Sequence, residues 1–103
     1  MTINIAIADD QALVRGALSA LLGLEPDITV VGEAASGTDA VDMCLNNDVD
    51  VALFDIEMPG LNGIEATREL RNKGRDTKVL IVTTFGRPGY LQRALAALSL
   101  IHI

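Results

Sequence analysis

The stretch Val51-Ala52-Leu53-Phe54-Asp55-Ile56-Glu57-Met58-Pro59-Gly60 decides the fold. Its first four residues are apolar without interruption and are bounded by acidic residues. That is the pattern of a short parallel strand buried on both faces. The run stops at Asp55. Pro59 and Gly60 then mark a loop, because proline fixes one dihedral and glycine permits a positive φ. Asn62 and Glu65 stand three apart as a capping pair, opening a helix that carries Ile64, Ala66 and Leu70 and closes at Asn72, Lys73 and Gly74.

Working outward, the same alternation repeats on both sides. Ile3, Ile5 and Ile7 make a first strand that ends at Asp9-Asp10. From Gln11 to Leu22 the residues Leu13, Val14, Ala17, Leu18, Leu21 and Leu22 recur at helical spacing, and Gly23 and Pro26 end that helix. Ile28 to Val31 is a β-branched second strand; Ser36 and Asp39 then form a capping box for a helix running through Val41 to about Leu45. Val79 to Val82 repeats the buried strand and stops at Thr83-Thr84. A loop with Gly86, Pro88 and Gly89 leads to a helix from about Tyr90 to Ala97. Alternating strands and helices imply right-handed crossovers and an α/β, doubly wound parallel sheet, expected in the flavodoxin-like order 2-1-3-4-5. With no repeat, linker or low-complexity tract, residues 1–97 read as one domain.

Composition narrows the function. The 103 residues suffice for one core, and the scarcity of aromatics against abundant Ala, Val, Leu and Ile favours helices packed on a sheet over a β-sandwich. A net charge of -6 opposes nucleic-acid binding by this chain, since a phosphate backbone requires clustered cations. Arg15, Arg68, Arg71, Arg75 and Arg93 are scattered and read as solvated faces or snorkelling stems. Cys44, the one cysteine, reads as a small buried hydrophobe. The N-terminus Met1-Thr2-Ile3-Asn4 carries neither a basic segment nor a long apolar run, so no secretory signal or membrane span is expected, and a cytoplasmic location is.

The chemistry lies at the strand ends. Any one strand-end aspartate could be a turn former. Asp9, Asp10 and Asp55, however, follow the first and third strands, which are neighbours in this topology and flank its switch point. Three converging carboxylates disfavour one another's ionisation, so such a site calls for a cation, and all-oxygen ligands point to Mg²⁺ or Mn²⁺.

Ile7-Ala8-Asp9-Asp10, Asp55-Ile56-Glu57-Met58-Pro59-Gly60, Asn62-Gly63 and Val82-Thr83-Thr84 resemble the receiver domain of bacterial two-component response regulators over residues 2–97. The runs Asp55 to Gly60 and Thr83 to Tyr90 are most similar to the NarL/FixJ type, in the branch that includes regulators of lipid desaturation. The resemblance implies that Asp55 is the phosphoacceptor, attacking a phosphohistidine on a sensor histidine kinase. It implies Mg²⁺ held by Asp9, Asp10, Asp55 and the backbone carbonyl of Glu57, and a Thr83 hydroxyl that bonds the phosphoryl group and drives the switch. It implies a phosphoprotein that is not a turnover enzyme, with a DNA-binding domain for transcription regulation in the intact protein and room for a phosphorylation-dependent homodimer.

Residues 98–103 depart from the family. Its members continue into a Gly-Ala-x-Gly-aromatic-Leu-x-Lys stretch, a fifth strand and a fifth helix, whereas this chain reads Leu98-Ser99-Leu100-Ile101-His102-Ile103. The family's lysine has no counterpart here, the fifth strand is expected to be atypical and the last helix missing, and a C-terminally truncated or altered tail is the expectation. Impaired phosphotransfer follows from that departure, as does an alternative reading as a phosphorylation-independent docking module. A dehalogenase-type phosphatase, which shares the Asp nucleophile and Mg²⁺, needs an Asp-x-Asp pattern after its first strand, and Asp9-Asp10-Gln11 lacks it.

Overall fold

In the computed structural model of the chain, residues 2–82 and 100–102 are described. Strands and helices alternate as β1 (Ile3–Ala8), α1 (Ala12–Leu22), β2 (Ile28–Ala34), α2 (Gly37–Asn46), β3 (Val51–Asp55), α3 (Gly63–Asn72) and β4 (Lys78–Val82), followed by β5 (Leu100–His102). The sheet order is β2-β1-β3-β4-β5, as the sequence predicts, and the first four strands pair in parallel. The short β5 pairs antiparallel to β4, with Ile81 opposite Ile101. This is the atypical fifth strand, and it departs from an all-parallel sheet. An edge strand has a single neighbour, and an antiparallel edge on a parallel sheet is a common variant. The predicted loop at Thr84–Gly89 and helix at Tyr90–Ala97 lie outside the described residues.

Side chains alternate between the two faces of each strand. Ala6, Ala8, Ala52, Phe54, Val79 and Ile81 face α2 and α3, where Ala40, Val41, Cys44, Ala66 and Leu70 complete a buried core. Ile5, Ile7, Leu53 and Val82 face the other way, against half-buried Leu18 and Leu22. Small alanines on the first face let the helices approach closely, and Phe54 fills the centre.

Helix α1 differs from expectation. Six apolar residues cover too much of the helix circumference to face one sheet, and only the stripe Val14, Leu18 and Leu22 turns inward. Leu13 is 86% exposed and Leu21 64% exposed, and no α1 residue is fully buried. Gly23 caps this helix with ordinary right-handed geometry.

The two capping pairs also differ. Asn62 and Glu65 form the full reciprocal box at 2.8 and 3.1 Å. At α2 only half of the box is made: the Ser36 hydroxyl accepts from the Asp39 amide at 3.1 Å. Aspartate is one methylene shorter than glutamate, so its carboxylate reaches back less readily to the cap.

Candidate functional site

Parallel strands end on a common edge, so the residues that follow them converge there. Strands β1 and β3 are hydrogen-bonded neighbours with Ala8 opposite Phe54; Asp9 follows the last residue of β1, and Asp55 is the last residue of β3. Carboxylate oxygens of Asp9, Asp10 and Asp55 all lie within 4.8 Å of one another, as the sequence predicts. Asp9 and Asp55 are each 2% exposed, while Asp10 faces solvent.

Each acidic residue is positioned by local structure. Val31 has no partner on β1, because Ile5 pairs with Val30 and Ala6 with Gly32; this bulge brings Ala34 opposite Ala8. From there the Ala34 carbonyl accepts the Asp9 amide at 3.0 Å. The Asp9 carboxylate in turn accepts the Gln11 amide at 2.8 Å, which closes the turn into α1.

Asp55 is placed by close packing. The Gly63 amide donates to the Ile56 carbonyl at 3.0 Å, and a β-carbon on Gly63 would stand 2.5 Å from the Asp55 carbonyl oxygen. Only glycine lets the start of α3 come this near. The Gly37 amide, donating to the Pro59 carbonyl at 3.0 Å, ties the same loop to α2. Gly60 adopts a φ of 75°, which is the positive value expected of this turn.

The electrostatics follow from burial. Both carboxylate oxygens of Asp55 are buried without a hydrogen-bond partner. Desolvation, and then the neighbouring Asp9 charge, push the Asp55 pKa from 3.8 up to about 6. The amides of Glu57 and Ile56 pull the other way, too weakly to cancel burial; Asp10 adds to the rise. A buried anion beside two like charges, lacking donors, is the environment that a cation satisfies, and an all-oxygen set suits a hard divalent ion. The residues present therefore fit a metal site.

Glu57 lies exposed in the bend that follows Asp55. Strand β4 ends at Val82, in register with Asp55; Thr83, next in sequence, lies outside the described residues. Cys44 is 1% exposed and its thiol is pushed up to about 11, chiefly by burial, in keeping with a core role.

Arg15 corrects the sequence reading. It is not a solvated cation but lies against the site, its side chain 20% exposed, with Nη1 donating to the Asp9 carbonyl at 2.7 Å and Nε 3.3 Å from Glu33 Oε1. Sequence spacing gave no signal for this contact, because it joins α1 to the ends of two strands. Arg75 is likewise engaged, its Nη2 donating to the Leu45 carbonyl at 2.6 Å.

Among known proteins, the transcriptional regulatory protein DesR of Bacillus subtilis is 52% identical over 95 residues, covering 92% of this chain and 47% of its own length. Response regulator UvrY of Escherichia coli is 39% identical, covering 91% of this chain and 49% of its own. The chain thus spans about half the length of the curated relatives it matches. In three dimensions it is similar to a LuxR-family DNA-binding response regulator from Staphylococcus aureus, with a TM-score of 0.76, 38% identity and coverage of 92% and 79%. The response regulator domain of Thermotoga maritima CheB gives a TM-score of 0.78 at 34% identity, with coverage of 95% and 72%. With the receiver-domain profile matching residues 5–99 and the acidic cluster at its strand ends, the chain belongs to the response regulator receiver domain family.

Proposed function

We propose that this chain accepts a phosphoryl group on Asp55 from a phosphohistidine of a partner sensor histidine kinase. The observation that carries the proposal is the pair of buried, unpartnered Asp55 oxygens clustered with Asp9 and Asp10. One of those oxygens attacks phosphorus; an O–P bond forms as the P–N bond to imidazole breaks, and the ring nitrogen leaves with the electron pair. Mg²⁺, held by Asp9, Asp10, Asp55 and the Glu57 carbonyl, would neutralise the charge that three carboxylates and a phosphoryl group bring together.

The chain's own groups divide the remaining work. Asp55 is ionised above about pH 6, and so nucleophilic at neutral pH. The Gly63 and Gly37 contacts hold its loop in place. The Thr83 hydroxyl donates to a phosphoryl oxygen and passes the event to the loop that follows. The chain is a stoichiometric acceptor that assists its own phosphorylation and dephosphorylation, not a turnover enzyme.

The longer relatives carry the names of transcription regulators, and one structural neighbour is a DNA-binding response regulator. By analogy, the intact protein regulates transcription in the cytoplasm through a DNA-binding domain outside this chain, with phosphorylation promoting a homodimer. Among the described residues no helix is long and apolar enough to cross a membrane.

Incubation with acetyl phosphate and Mg²⁺ tests the acceptor role. One stoichiometric, hydroxylamine-labile phosphoryl group, absent from Asp55→Asn, is expected. Equal labelling of that variant contradicts the assignment; no labelling of either favours a docking module, and continuous phosphate release favours a phosphatase.

A further inference from the structure

We propose that Arg15 is a positioning residue for the acidic site: anchored on Glu33, its guanidinium holds the Asp9 carbonyl and so orients the Asp9–Asp10 peptide toward a divalent cation. The inference rests on the phosphoacceptor reading, because the cation is the one that reading requires.

A single peptide unit joins the two acidic residues. The carbonyl of Asp9 belongs to the plane leading to Asp10, so whatever fixes that carbonyl fixes the direction in which Asp10 leaves β1. Arg15 Nη1 bonds it at 2.7 Å, a short charge-assisted contact. A second arm of the same planar fork, Nε, lies 3.3 Å from Glu33 Oε1 on β2. The next residue, Ala34, accepts the Asp9 amide at 3.0 Å. Asp9 is therefore gripped by the end of β2 on both sides, directly through its N–H and by way of Arg15 through its C=O. Asp10, exposed and beyond this grip, takes its position from it.

The charge of Arg15 by itself points the other way. A cation beside a metal site repels the metal, so deletion of a mere bystander charge tightens divalent binding. Deletion of a support loosens it, as loss of outer groups that orient metal ligands does, by about 10-fold to 100-fold. The two roles thus differ in sign.

The test is calorimetric Mg²⁺ titration of the parent chain, Arg15→Met, Arg15→Lys, Glu33→Gln and the double variant Arg15→Met with Glu33→Gln, with amide dispersion reporting the fold. The expected result is Mg²⁺ affinity about 10-fold weaker for Arg15→Met, with Glu33→Gln weakening the parent but adding nothing to Arg15→Met. Unchanged or tighter binding by Arg15→Met overturns the proposal, as does a Glu33→Gln effect that persists in its absence. If Arg15→Met does not fold, Arg15→Lys decides: it keeps the charge and loses the fork, so weakened binding supports positioning and parent-like binding overturns it. A folded parent that binds no Mg²⁺ overturns the phosphoacceptor reading and this inference together, whereas a parent that binds alongside indifferent variants overturns this inference alone.

Discussion

Asp55 sets an energetic conflict at the centre of the site. Its carboxyl keeps a proton up to about pH 6 in the folded chain, against 3.8 for the ordinary group. Between those values the unfolded chain releases a proton that the folded chain retains, so stability falls as pH rises through that window. Below pH 3.8 both states are protonated and no penalty applies; above about pH 6 both are ionised and the penalty is complete. For a carboxylate this buried it amounts to about 1–3 kcal/mol. Asp55→Asn, which carries no charge, is expected to stabilise the cation-free chain by that amount near neutral pH and not below pH 3.8, as urea melts at the two pH values will show. Gly63→Ala presses a β-carbon onto the Asp55 carbonyl; urea melts should show a loss of about 1–3 kcal/mol, with weaker Mg²⁺ binding in calorimetry. Asp9 and Asp55 were legible in the sequence because each follows an uninterrupted apolar run, and Asp10 because it adjoins Asp9. Arg15 was not, since its contacts span Asp9 on one strand end and Glu33 on another, and local spacing carries no such information.

At the scale of elements, the helices on the two faces carry unequal weight. Leu70 is fully buried between α3 and the sheet, whereas Leu18 on α1 is only half-buried. Leu70→Ala is expected to destabilise by about 2–5 kcal/mol, and Leu18→Ala by distinctly less, in paired denaturant melts. Asn62→Ala removes the acceptor for the Glu65 amide and should cost about 1 kcal/mol, while Ser36→Ala, at a half-made box, should cost no more. Strand positions and the α3 cap were readable because apolar runs and Asn-x-x-Glu carry their geometry locally. The face of α1 was not. Leu13 and Leu21 fit helical spacing as well as Leu18 and Leu22 do, and only the neighbouring strands decide which pair turns inward.

Across the whole molecule, the order β2-β1-β3-β4-β5 places the first and third strands side by side, and that adjacency assembles a site from residues 46 positions apart, Asp9 and Asp55. The doubly wound parallel sheet was legible from the alternation of strands and helices, while the order itself came from the flavodoxin-like variant of that architecture. The antiparallel direction of β5 was not, because a short apolar run pairs either way. The same assembly couples binding to stability: Mg²⁺ at 100 times its Kd should raise the unfolding free energy by about 2.7 kcal/mol, with no gain for Asp55→Ala. Whether Asp55 is a working phosphoacceptor is tested by amide NMR of the chain and of Asp55→Ala, titrated with Mg²⁺ and then with beryllofluoride as a phosphoryl mimic. A functioning phosphoacceptor site predicts dispersed spectra with shifts centred on Asp9, Asp10 and Asp55 in the parent chain, the beryllofluoride response requiring Mg²⁺ and vanishing in the variant. Dispersed spectra that ignore both ligands would contradict it.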